Sequence, residues 1–133
     1  MRNKEISIIS DWTRQAKLGI QPSKVALQRH LNEVHNKNPG FTELIASKCR
    51  DIDENNSYDL LLNLLEKKKS LNVLDIACGS GYLLNLCYKR FGSSLKLTGV
   101  DMSNSELELA KKKLNSTNYK LHLGMAQDLS FLE

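Results

Sequence analysis

Two aspartates and two glycines carry the chemistry this chain can offer. Asp75 lies in the run Val73-Leu74-Asp75-Ile76-Ala77-Cys78-Gly79-Ser80-Gly81, and Asp101 ends the run Gly99-Val100-Asp101. Gly79 and Gly81 can take positive φ and let a ligand approach the backbone. A helix starting just after them offers free N–H groups and a positive dipole end to an anionic group. An acidic side chain about 20 residues past the first glycine can accept hydrogen bonds from both hydroxyls of a ribose. Nicotinamide dehydrogenases use the same device, so Asp101 alone leaves the ligand class open. The glycine spacing narrows it. A dinucleotide site needs G-x-G-x-x-G for close helix packing beneath a pyrophosphate, whereas the third position here is Leu84, after Tyr82 and Leu83. Asp75, just ahead of the turn, is poorly suited to a pair of phosphates and better matched to a cationic group. A glycine turn can also serve packing alone and bind nothing.

These residues need a strand, a turn and a helix in that order, repeated. Asn72 to Ala77 reads as a buried strand, Tyr82 to Phe91 as a helix and Leu95 to Asp101 as a second strand. Ser103 to Glu106 forms a capping box, and Leu107, Ala110 and Leu114 share one face of the helix it opens, with Glu108 four residues before Lys112. Tyr119 to Leu123 alternates apolar and polar residues, as a half-exposed edge strand does. Strands separated by helices imply right-handed crossovers and a parallel sheet, so the fold class is α/β. Ahead of Ser70 the periodicity is helical throughout. A segment around Trp12 comes first. Pro22 and Ser23 then open a stretch with Leu27, Leu31 and Val34 at helical spacing, closed by Asn38-Pro39-Gly40. Thr42 is placed to cap a third helix with Phe41 and Ala46 as a staple, and Ser57 to cap a fourth, whose apolar face is Leu60, Leu61, Leu64 and Leu65.

Length and composition set limits. At 133 residues and 41% apolar content the chain can bury one real core. The net charge of +4 comes from dispersed Lys and Arg, with clusters at 67–69 and 111–113 that late helical turns and solvation explain. No basic stripe is interleaved with aromatics, which argues against nucleic acid as a partner. Cys49, Cys78 and Cys87 make an odd count without a CxxC pair, which points to reduced thiols in the cytoplasm. The densest apolar stretch, Leu60 to Leu65, is far too short to span a bilayer, and no membrane partner is expected. No metal site is expected either. His30 and His35 are five apart and do not share a helix face, and His122 falls on the polar side of an edge strand.

Over residues 57 to 133 the sequence resembles the class I methyltransferases that bind S-adenosylmethionine. Their first motif is similar to Val73–Leu83, their second to Thr98–Ser103 and their third to Gly124–Phe131. The resemblance implies a Rossmann-like sheet and S-adenosylmethionine as cofactor. By it, Asp75 lies near the methionine amino group, and Ala77, Gly79 and Gly81 line the methionine moiety through their backbones. Cys78 counts among the cofactor-binding residues as part of that turn, with its thiol packing as a small apolar group. Asp101 holds the ribose hydroxyls and Met102 packs on the adenine ring, while the Ala126 N–H and Gln127 border the adenine edge. Many relatives carry an acidic residue where this chain has Met125, so the usual carboxylate at the adenine amino group is missing. Asp128 has two readings, a cap for a following helix or a further group near the adenine edge.

The resemblance also implies what this length lacks. The family's complete sheet has seven strands in the order 3-2-1-4-5-7-6, and the sequence supplies 3-2-1 of it. Its first strand would then expose an edge that invites pairing, which a longer polypeptide, a second chain or a homo-oligomer would cover. The expected division is 1–56, a helical annex or lid, and 57–133, a partial cofactor-binding domain. The expected function is methyl transfer to an unidentified acceptor, a small molecule in the leading reading, with no catalytic residue assignable. Two alternatives stay open: a non-catalytic module that pairs with another chain, and an NAD-dependent oxidoreductase, against which Leu84 and Asp75 argue.

Overall fold

The computed structural model describes residues 11–38, 41–66, 71–114 and 118–132. Four helices come first, α1 (Asp11–Lys17), α2 (Lys24–Lys37), α3 (Phe41–Lys48) and α4 (Ser57–Glu66). The alternating part follows, with β1 (Leu71–Ile76), α5 (Tyr82–Phe91), β2 (Leu95–Asp101), α6 (Asn104–Lys113) and β3 (Tyr119–Leu123). The chain divides at Lys37/Asn38 into two compact units, which places α3 with the sheet. In the first unit, Trp12 of α1 stacks on His30 of α2 with ring centroids 4.8 Å apart, and Asp11 pairs with Arg29.

In the second unit β1, β2 and β3 form one parallel sheet in that order, with Asp75 beside Gly99 and Gly99 beside Leu121. Period two sends Leu95, Leu97 and Gly99 to one face, where Leu84 and Cys87 of α5 and Leu107, Ala110 and Leu114 complete a dry core. Gly99 makes that packing possible. A Cβ there would lie 2.7 Å from Leu84 Cδ1 and 2.8 Å from both Cys78 Sγ and Leu121 Cδ2. Leu84 is thus admitted because the opposing strand, and not the helix, supplies the glycine. Leu74 is 46% and Ile76 42% exposed, and Val73 and Asp75 on the other face are half-buried, so β1 is less buried than the expected buried strand.

The helix starts differ from the sequence reading in detail. Asn56, one residue before Ser57, caps α4: its Oδ1 accepts from the Tyr58 and Asp59 amides at 2.8 and 3.0 Å, and Asp59 Oδ2 accepts from the Asn56 amide. Asparagine outcompetes serine because it is positioned to serve both amides. Phe41 is already helical and 52% exposed while Ala46 is buried, so Thr42 is no cap and no staple forms. Ser23 does cap α2, accepting from the Ala26 amide at 3.1 Å. Ser103 caps α6, and Lys111 rather than Lys112 pairs with Glu108, at 2.7 Å. Pro39, Gly40 and the lysines at 67–69 lie outside the described residues.

Candidate functional site

The site is built at the carboxyl end of β1, where the chain must leave the sheet and enter α5 within five residues. That reversal takes three residues at positive φ: Ala77 at 62°, Gly79 at 52° and Gly81 at 73°. Ala77 pays for this conformation with steric strain that a glycine avoids, and strain of this kind survives only where surrounding contacts over-determine it. The contacts are present. The Cys78 amide donates to Val100 O at 3.0 Å and the Gly81 amide to Cys78 O at 2.9 Å. A Cβ on Gly81 would approach Ala110 Cβ to 3.0 Å, so α6 sits directly against the turn.

Asp101 ties the turn to β2. Its Oδ2 accepts from the Gly79 amide at 2.8 Å and its Oδ1 from the Ser103 amide at 2.8 Å. One carboxylate therefore fixes both the glycine turn and the start of α6, and each of its oxygens keeps further acceptor capacity. Asp75 is half-buried, and burial first and Asp101 second push its carboxyl up to about 6. Cys78 senses the same field. Its thiol is pushed up to about 12 by burial and then by Asp101, Asp75 and, more weakly, Glu106, so it is an inert core group. Any ligand contact from Cys78 must use its backbone. The Glu106 carboxylate faces Gly79, where a Cβ would meet Oε2 at 3.5 Å. Three carboxylates thus converge on one turn of a chain whose net charge is +4.

The third motif lies alongside. The Gly124 amide donates to Asp101 O at 3.0 Å, which holds the segment after β3 beside the end of β2. Met125 and Asp128 then bridge, leaving Ala126 and Gln127 exposed at the apex of a tight turn. Asp128 accepts from Ser130 Oγ at 2.9 Å and precedes a single 3-10 turn, Ser130–Leu132. Met102, half-buried, directly follows Asp101.

Sequence reasoning left several neighbours of the turn unassigned. Tyr58 of α4 meets Tyr82 of α5 edge to face, centroids 5.0 Å apart, and its phenol is raised by burial and then by Asp75, Tyr82 and Glu43. Ser80, inside the turn, bonds Lys113 and Glu43. Ser80 was visible as part of the motif, but Glu43 lies 37 residues upstream with no local pattern to mark it. A cavity of about 480 Å³ lies elsewhere, at the amino ends of the strands, lined by Asn72, Lys96, Thr98, Asn118, Tyr119 and Lys120. Parallel sheets bind ligands at the carboxyl ends, so the turn is the better site. Among the described residues no group of His, Cys, Asp or Glu is arranged to hold a metal ion.

Comparison with known proteins places the alternating part of the chain in a family. A methyltransferase domain family matches residues 67–132. The malonyl-[acyl-carrier protein] O-methyltransferase of Priestia megaterium is 33% identical over 82 residues, 60% of this chain and 30% of that protein. The demethylmenaquinone methyltransferase of Staphylococcus aureus is 38% identical over 65 residues, 48% of this chain and 27% of that one. The chain thus spans about a third or less of these relatives' length. Among solved structures, the YcgJ protein of Bacillus subtilis matches at TM-score 0.46 and 25% identity, over 55% of this chain and 31% of that one. The plantazolicin methyltransferase BpumL, solved with a substrate analogue and SAH, matches at 0.47 and 23%, over 74% and 34%.

Proposed function

We propose, from the premise that this chain belongs through residues 67–132 to the class I S-adenosylmethionine-dependent methyltransferases, that its glycine turn binds S-adenosylmethionine for methyl transfer to a small-molecule acceptor. Asp75 supports the reading most directly: a half-buried carboxylate just ahead of the glycine turn disfavours a pyrophosphate there, whereas an acid in the place of Asp101 suits either ligand class. S-adenosylmethionine brings an ammonium and a sulfonium and no phosphate. A half-buried carboxylate beside Asp101 is stabilised by such cations and destabilised by a pyrophosphate.

In this reading Asp75 takes the methionine ammonium, the backbone of Ala77, Cys78, Gly79 and Gly81 lines the methionine chain, and Asp101 accepts from the ribose hydroxyls. Met102 lies against the adenine, whose edge meets the Ala126 N–H and Gln127. Bound S-adenosylmethionine supplies an electrophilic methyl on sulfur. The protein's part is to fix that methyl and to exclude water around it, which is positioning rather than acid–base work. The relatives' substrates, a malonyl thioester carrier and a quinone precursor by their names, support a small or carrier-bound acceptor. No helix of the described residues is long and apolar enough to cross a membrane, and the unpaired Cys49, Cys78 and Cys87 support a reducing compartment, the cytoplasm.

Thermal unfolding with added ligand tests the reading. S-adenosylmethionine at a hundredfold excess over its Kd should stabilise the chain by about 2.7 kcal/mol. NAD should give no shift. A shift with NAD and none with S-adenosylmethionine would return the site to the dinucleotide class.

A further inference from the structure

The glycine turn is held from one side by a residue outside the family-matched segment. Glu43, in the first turn of α3, reaches Ser80 Oγ at 3.4 Å and pairs with Lys113 Nζ, while Lys113 donates to Ser80 Oγ at 2.9 Å. Ser80 is 9% exposed, so its hydroxyl has little water and depends on these two partners. Lys113 is the last residue of α6, where the helix dipole favours a cation. The same helix touches Gly81 through Ala110 and Leu114. Burial pushes the Glu43 carboxyl up, and Lys113, the Glu43 backbone and Ser80 together hold it below its ordinary value.

We propose that Glu43 is a positioning residue for the cofactor, fixing the Ser80 segment of the turn through Lys113 so that the backbone on either side of Ser80 keeps its ligand-binding geometry. The inference rests on the reading of the turn as the S-adenosylmethionine site and extends that site to α3. Hydrogen bonds to charged partners in a part-buried setting are strong enough to matter, and the three groups form a closed triangle in which losing one takes a partner from each of the other two.

Bare charge makes a different forecast. If Glu43 and Lys113 acted only through their fields on a cationic ligand, Glu43→Gln would weaken binding and Lys113→Met would tighten it. Positioning predicts that both weaken it, about three- to tenfold in Kd for S-adenosylmethionine. The double variant should be no worse than the poorer single, and Lys113→Arg, which keeps the donors, should bind within about twofold of the parent. In the ligand-free chain, hydrogen exchange at the Gly79 and Gly81 amides should quicken in Glu43→Gln while the amides of β2 keep their protection.

Calorimetric titration of the four variants and the parent, with exchange measured on the same samples, decides it. Opposite signs for the two singles, additive losses, or unchanged turn exchange would overturn the role of Glu43 while leaving the cofactor site standing. Failure of the parent to bind S-adenosylmethionine would remove the cofactor reading itself, and this inference with it.

Discussion

At the residue scale, Asp75 is the group whose environment most constrains the chemistry. Its carboxyl titrates near 6 in the fold against an ordinary 3.8, raised by burial and by Asp101. A raised carboxyl favours the protonated form, so ionised Asp75 costs stability that is absent below about 3.8 and fully present above about 6. Asp75→Asn should therefore stabilise the ligand-free chain at pH 7.5 by about 1 kcal/mol, the linkage value being reduced because the group is partly open to solvent. The gain should fade as pH drops to 4, measured by urea unfolding. Binding has the opposite sign. A cation prefers the ionised form, so affinity for S-adenosylmethionine should fall as pH is lowered from 7.5 to 5, and Asp75→Asn should bind weakly with no such slope. A parent whose affinity is flat across that window would place the ligand's ammonium elsewhere.

At the scale of elements, the strand–turn–helix units were legible in the sequence and their neighbours were not. The edges of α5 and β2 fall where the periodicity places them, because Gly79, Gly81 and Ser103 act on adjacent residues. Local signals of equal strength compete elsewhere: Asn56 displaced Ser57 as the cap, and Lys111 displaced Lys112 at Glu108. Glu43 and Tyr58 reach the turn through tertiary packing, which no window of sequence contains. Leu84 stands where a dinucleotide turn has glycine, and the Gly99 that accommodates it emerged only with the register of β1 on β2. Gly99→Ala tests that compensation. Its methyl would meet Leu84, Cys78 and Leu121 at 2.7 to 2.8 Å, so a loss of about 1–3 kcal/mol is expected in denaturant unfolding. Leu84→Ala in the same background should recover part of it, whereas additive losses would contradict direct contact.

At the scale of the whole molecule, a chain of net charge +4 places Asp75, Asp101 and Glu106 near one glycine turn, where, after burial, they raise the Cys78 thiol. The second face of the sheet is covered unevenly, with Val100 of β2 buried there. β1 is paired only with β2 among the described residues, and Leu74 and Ile76 stand exposed on its uncovered face. An edge with exposed apolar side chains recruits another strand. The chain is accordingly expected to self-associate in sedimentation velocity, with the Leu74→Lys, Ile76→Lys double variant shifted to monomer at unchanged circular dichroism. A monomer at every concentration in the parent would show that the edge is protected without a partner.

The central claim is that the turn between β1 and α5 is an S-adenosylmethionine site organised by Asp101. Calorimetric titration of the purified chain with S-adenosylmethionine, beside Asp101→Ala, tests it most directly. Saturable one-site binding is expected of the parent and a loss of at least about tenfold in the variant, since Asp101 fixes Gly79 and Ser103 and is the proposed partner of the ribose. Equal binding by the two proteins, or none by a folded parent, would contradict it.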